Sequence, residues 1–223
     1  MIDGFQGKYA KSHLVLSHRW FTPKHPDPQG TKVRMLQDFL RANLEIEYVW
    51  VDFFCLPQWL PEAPRSEDED VIFQGGLANL WMLFLTHRIL VSFDLQYAGR
   101  FWTSYEFWLA LRTITSNGLE PTPEDQRRMS IQCIGASKEA EDIHVQWMIT
   151  TWADKAADIA ADLLAQDDIL VTNQRDKDEQ LNVLRKLART AGSIYEDVMH
   201  KQIAPTVATV PSSPIDEIEM VSM

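Results

Sequence analysis

The sequence predicts an α/β domain built on a parallel sheet, and three observations carry that prediction. Three short apolar runs are continuous rather than alternating, which fits strands covered on both faces. Segments of helical periodicity lie between and after them, so strand and helix alternate as right-handed crossovers require. Each run also ends in polar residues: Ser17-His18-Arg19-Trp20, Asp52 and Asp94.

The first run is Leu14-Val15-Leu16, the second Tyr48-Val49-Trp50-Val51, and the third Ile89-Leu90-Val91 with Phe93. Between the first two, Thr31 to Asn43 sets Val33, Leu36, Phe39 and Leu40 on one helical face. Pro57 to Asp70, rich in proline and closed by an acidic run, reads as a long exposed loop. Val71 to Thr86 is apolar nearly all round and reads as a buried helix. Its Gly75-Gly76 pair weakens it by about 1 kcal/mol per glycine unless a close contact needs them. Arg100 to Thr115 reads as an aromatic-rich helix, and Asn117 to Arg128 as a polar connection. Ser130 to Ile134 is expected to be a fourth strand, near an edge. Ile143 to Leu164 reads as one long amphipathic helix, Ile169-Leu170-Val171 as a short fifth strand or a buried turn, and Asp176 to His200 as the last helix. The expected organisation is one α/β domain over 1–201, with core motifs in 12–111 and a helical extension in 137–201. Residues 202–223 have the composition of a disordered tail.

A chain of 223 residues suffices for one sizeable core. The net charge of −11, with no basic stripe, argues against a nucleic-acid partner and against docking on an anionic membrane. No apolar stretch reaches spanning length. The two cysteines, Cys55 and Cys133, make neither a disulfide framework nor a zinc site, and Met1 to Lys11 lacks the apolar run of a signal peptide. A cytoplasmic location is expected.

In an open parallel sheet, ligands bind outside the carboxyl ends of the strands. All three polar clusters belong to that edge. His18, Arg19 and Trp20 could together hold a phosphate and stack on a planar ring; alternatively Trp20 covers the core and Arg19 pairs with an acid. His18, His25 and Asp27 match no usual metal-ligand spacing. Asp52 could orient a ribose, or cap the following turn. Cys55 has no cationic or histidine neighbour in sequence and reads as a buried structural thiol. Beyond Asp94, Trp102 and Glu106 stand four apart and share a helical face. A carboxylate there could stabilise the oxocarbenium-like state of a glycosidic cleavage. The same segment, Thr103-Ser104-Tyr105-Glu106, also reads as a capping box in which Glu106 satisfies backbone amides. The two roles compete for the same oxygens.

The order of Val15-Leu16-Ser17-His18-Arg19, Tyr48-Val49-Trp50-Val51-Asp52, Ile89-Leu90-Val91-Ser92 and Arg100-Phe101-Trp102-Thr103-Ser104-Tyr105-Glu106 resembles Toll/interleukin-1 receptor (TIR) domains. Trp50-Val51-Asp52-Phe53-Phe54-Cys55-Leu56-Pro57-Gln58 is also similar to a motif of fungal heterokaryon-incompatibility (HET) domains. The resemblance spans about Ser12 to Leu111. It implies a flavodoxin-like parallel sheet of about five strands, order 2-1-3-4-5, flanked by helices, with additional C-terminal helices here. It implies hydrolysis of the nicotinamide–ribose bond of NAD or a related nucleotide, with Glu106 catalytic. His18, Arg19, Trp20, Asp52, Trp102 and Ser104 would then bind the substrate, with no resident cofactor or metal. Other TIR domains are non-catalytic adaptors that self-associate, which is the alternative implied for this chain.

Overall fold

A computed structural model describes residues 2–59 and 62–203. The tail expected over 202–223 lies, from 204 onward, outside the described residues, as do Leu60 and Pro61 of the proline-rich loop.

Two single turns, α1 (Ile2–Phe5) and α2 (Tyr9–Ser12), lead into β1 (His13–His18). Helix α3 (Thr31–Ala42) crosses to β2 (Tyr48–Trp50), which runs into the single turn α4 (Asp52–Cys55). Helices α5 (Glu67–Ala78) and α6 (Leu80–Thr86) precede β3 (Arg88–Phe93), and α7 (Phe101–Ala110) follows it. A hairpin of β4 (Arg112–Thr115) and β5 (Gly118–Pro121) separates α7 from β6 (Met129–Cys133). Helices α8 (Glu141–Trp152), α9 (Ala157–Ala165) and α10 (Gln174–Ile203) follow.

The architecture is α/β, with a four-stranded parallel sheet in the order β2-β1-β3-β6 and helices on both faces. Successive strand residues point to opposite faces. Val15, Ile89 and Val91 therefore join the larger core with Phe84, Trp108, Leu164 and Leu184. Leu14, Leu16 and Leu90 pack with Phe39 of α3 in the smaller one. Among the described residues, no helix is long and apolar enough to cross a membrane.

The expected five strands in the order 2-1-3-4-5 are corrected in both count and order. The segment read as the fourth strand is β6, at the sheet edge as expected. Ile169-Leu170-Val171 never joins the sheet: it makes one parallel bridge, Leu170 to Arg100, with the Phe101 amide donating to Leu170 O (2.9 Å) and the Leu170 amide to Gly99 O (2.9 Å). The helix expected through Thr115 stops at Ala110. Thr113, Ile114 and Thr115 are β-branched and stiff at χ1, and the Asn117-Gly118 turn, with φ of +112° at Gly118, folds them into an antiparallel hairpin.

Other boundaries moved for local reasons. The acidic run Glu67 to Asp70 is the first turn of α5 rather than loop. Ser66 caps that helix, accepting from the Glu69 amide (3.3 Å) while the Glu69 carboxylate accepts from the Ser66 amide (2.8 Å). Negative charge is favoured at that end of the dipole. The helix read over Val71 to Thr86 breaks at Asn79, whose side chain donates to Gly75 O (2.8 Å). Only the α6 part is well buried, through Leu80, Trp81, Phe84 and Leu85; Val71 and Ile72 face outward. The helix read over Ile143 to Leu164 divides into α8 and α9 between Trp152 and Ala157. Of the two glycines in α5, Gly76 has the close contact: a Cβ there would lie 2.5 Å from a Leu56 methyl.

One glycine fixes how α10 lies on the hairpin. A Cβ on Gly192 would sit 2.5 Å from the Ser116 carbonyl oxygen, a backbone atom. Gly192→Ala gains about 1 kcal/mol of helix propensity but forces backbone apart, at about 1–3 kcal/mol or more. The expected net result in calorimetry is a lower Tm; an unchanged or higher Tm would show that the two elements separate freely.

Candidate functional site

A cavity of about 390 Å³ opens at the carboxyl edge of the sheet. Its walls come from the loop after β1, from Asp52 and Gln58 after β2, from α5, from the first turns of α7, and from residues 170–172. His18, Arg19, Trp20, Asp52, Trp102 and Glu106 all border it. Ser104 does not: it is fully buried, and its hydroxyl donates to Ala98 O (2.9 Å). It holds the turn before α7, so its expected substrate-binding role is corrected.

Asp52 organises one wall. Its carboxylate meets His18 Nε2 at 2.8 Å and accepts from Trp20 Nε1 (2.7 Å) and from the Phe53 amide (2.7 Å). The last bond ties the carboxylate to the turn it begins, α4. Burial pushes its carboxyl up, but the bonds from His18, Trp20 and Phe53 outweigh it and hold it below the ordinary value. Gln58 supports the turn by donating to Asp52 O and Leu56 O, each at 2.9 Å.

Arg19 takes the acid-pairing alternative of its two expected roles. Its Nε and Nη2 grip the Asp94 carboxylate at 2.9–3.2 Å, and Nη1 donates to Trp20 O (3.0 Å). Both side chains of the pair are only 14% exposed, so the charge is neutralised within the fold. The guanidinium is thus committed to a structural ion pair while still bordering the cavity. The stretch after Arg19 is anchored as well. Lys32 is buried, donates to Arg19 O and Pro26 O, and lies 3.7 Å from the centre of the Phe21 ring; burial lowers its pKa to about 8. Asp27 caps α3 by accepting from the Thr31, Lys32 and Val33 amides, and His25 Nδ1 accepts from the Asp27 amide (3.0 Å). Among the described residues no three His, Cys, Asp or Glu side chains converge as a metal site. Cys55, read as buried, is exposed, and Cys133 is buried.

Glu106 is not a helix cap. Helix α7 begins at Phe101 with Arg100 as N-cap, so the capping-box position is Thr103, and Glu106 stands most of a turn further in. The Thr103 hydroxyl donates back to Tyr97 O and Arg100 O. The Glu106 carboxyl instead reaches β1, where Ser17 Oγ donates to Oε2 (2.5 Å), and Ser17 Oγ also meets the buried Tyr97 hydroxyl (2.6 Å). Burial, aided by the Asp52 charge and opposed by the Ser17 bond, drives the Glu106 carboxyl well above the ordinary value. Two carboxyl groups at one edge are thus pushed apart, Asp52 down and Glu106 up.

Sequence reasoning left out Arg100, Tyr97, Gln58 and the 170–172 wall. Arg100 stands in the Arg-x-Trp motif and was legible there. Tyr97 and the 170–172 wall had no local signal, because only the fold brings them to this edge. Compared with protein-family models, curated proteins and solved structures, the chain matches none.

Proposed function

We propose that this chain is a TIR-like domain whose cavity hydrolyses the nicotinamide–ribose bond of NAD or a related nucleotide, with Glu106 as the catalytic residue. The observation that carries this reading is the Glu106 carboxyl at the cavity, tied to Ser17 and free of any capping duty. Trp20 and Trp102 border the same space, where an indole can stack on a planar ring.

The chemistry suits a lone carboxylate. The nicotinamide ring is cationic while bonded and leaves neutral, so departure needs no acid. The barrier lies in the positive charge that develops on the ribose as the C1′–N bond breaks, and a fixed carboxylate in a water-poor site stabilises it. Water then adds to C1′ and releases a proton, giving nicotinamide, ADP-ribose and H⁺. Burial favours the protonated Glu106, whereas an entering cationic ring favours the carboxylate. Binding therefore expels a proton, and kcat/KM is expected to rise with pH through a titration above the ordinary carboxylate range. A pH profile that is flat across that range removes Glu106 from the step.

The test is nicotinamide release from NAD by concentrated purified protein, followed by chromatography. Equal amounts of nicotinamide and ADP-ribose support the reading; no release above buffer overturns it. A second reading rests on a different face. Phe54, Trp59, Val71 and Ile72 are 57–77% exposed beside the acidic first turn of α5, as a self-associating module requires. That reading expects concentration-dependent sedimentation that Ile72→Glu abolishes and Glu106→Gln leaves unchanged.

A further inference from the structure

Three basic side chains border the cavity: His18, Arg19 and Arg100. Two already have partners, His18 on Asp52 and Arg19 on Asp94. Arg100 differs. It is half-buried, yet among the described residues its guanidinium makes no hydrogen bond and no ion pair. The chain carries 32 acidic residues against 21 Lys and Arg, so a structural arginine had many possible partners. Asp176 borders the same cavity, but its carboxylate is held by Asn173 (2.9 Å), not by Arg100.

The backbone around Arg100 is held firmly. It bridges Leu170, and the two adjacent amide bonds to the 99–101 segment fix it on both sides. The Arg100 guanidinium nitrogens keep access to solvent at the cavity, and a cation held at a site without a protein partner is free to take a ligand's anionic group. The planar guanidinium fork matches the oxygens of a phosphate. Arg100 precedes Glu106 by six positions, roughly 9 Å along the axis at about 1.5 Å per residue. Both side chains border the same cavity.

We infer that Arg100 is the anion subsite of this cavity and that its ligands are ribosides bearing a 5′-phosphate. The inference rests on the glycosidic reading above for the orientation of the ligand, but the subsite itself is a matter of binding. Arg100 takes the place that Arg19 cannot fill. A phosphate there satisfies the guanidinium and sets the ribose between Trp20, Trp102 and Glu106.

The experiment is titration calorimetry of the purified chain with nicotinamide mononucleotide and with nicotinamide riboside, which differ only in the phosphate. A charge-assisted contact of about 1.5–3 kcal/mol corresponds to about tenfold to hundredfold tighter binding of the mononucleotide. Arg100→Gln is expected to bring the two ligands level, and Arg100→Lys to keep part of the preference, because it retains the charge without the fork. Inorganic phosphate should weaken the mononucleotide and leave the riboside unaffected, a test that needs no variant. Equal affinities in the wild type, no binding of either ligand, or a preference that survives Arg100→Gln each overturn the subsite. A phosphate preference that persists without any nicotinamide release sinks the hydrolase reading alone and leaves the subsite standing.

Discussion

Replacing Glu106 by glutamine is expected to abolish nicotinamide release while making the fold more stable as pH rises above the ordinary carboxylate range. Glutamine keeps the shape and can still pair with Ser17, but it cannot become an anion. Removing one fixed group that meets developing charge costs about 10²–10³ in kcat, so turnover should fall at least that far. The stability effect follows from the raised carboxyl. A carboxyl with a folded pKa above its unfolded value contributes stability that is present below the unfolded pKa and lost as pH rises through the folded one. Wild type and variant should therefore melt alike below the ordinary carboxylate pKa and diverge progressively as pH rises above it, with the variant higher. Each pKa unit is worth about 1.4 kcal/mol, and for a chain of this size about 2–4 °C of Tm per kcal/mol. Matched thermal melts across pH, with an NAD assay, read both effects. Activity that survives Glu106→Gln ends the catalytic assignment; equal melting in alkali ends the claim that the carboxyl is strained by burial. A site that opposes the stability of its own fold is the usual signature of function.

Asp52→Ala is expected to loosen the opposite wall and to destabilise the fold by about 3 kcal/mol. The substitution strips the acceptor from His18 Nε2, Trp20 Nε1 and the Phe53 amide together, and each buried donor left unpaired costs about 1–3 kcal/mol, reduced where water reaches it. Here the sign is reversed. Asp52 lies below its unfolded value, so its contribution is present above the unfolded pKa and lost as pH falls through the folded one. The gap between wild type and variant should close in acid, opposite to the Glu106 case. With Trp20 released, KM should rise more than kcat falls. Asp52→Asn, which keeps the acceptor oxygen but loses the charge, should lie between. Denaturant midpoints that do not separate at neutral pH would remove Asp52 as the organiser of this wall.

These effects also mark how far sequence reasoning reached. Strands β1 and β3 were legible as buried because continuous apolar runs can be covered on both faces of a parallel sheet. The β2 run, expected to be covered likewise, forms an edge strand with Tyr48 exposed. The polar ends of β1 and β2 border the cavity because the parallel arrangement puts every strand end on one edge. The aromatic pattern of α7 was legible too, but not its end. Packing of Arg112 and Ile114 against the core, with the Asn117-Gly118 turn, outweighed the helical pattern over the last residues.

By itself the sequence determined the α/β class, the carboxyl edge and most of the polar and aromatic side chains at it, with Ser104 wrongly included and Arg100 left out. Only the tertiary structure decided what each of them does. Glu106 meets Ser17 from 89 positions away, and Arg19 meets Asp94 from 75 away. Local spacing suggested a helix cap for the first and left the partner of the second open. Periodicity records which face a residue occupies. It holds no information on which acid reaches which cation across the sheet, and that pairing leaves Arg19 neutralised, Asp52 ionised, Glu106 strained and Arg100 free of a partner among the described residues.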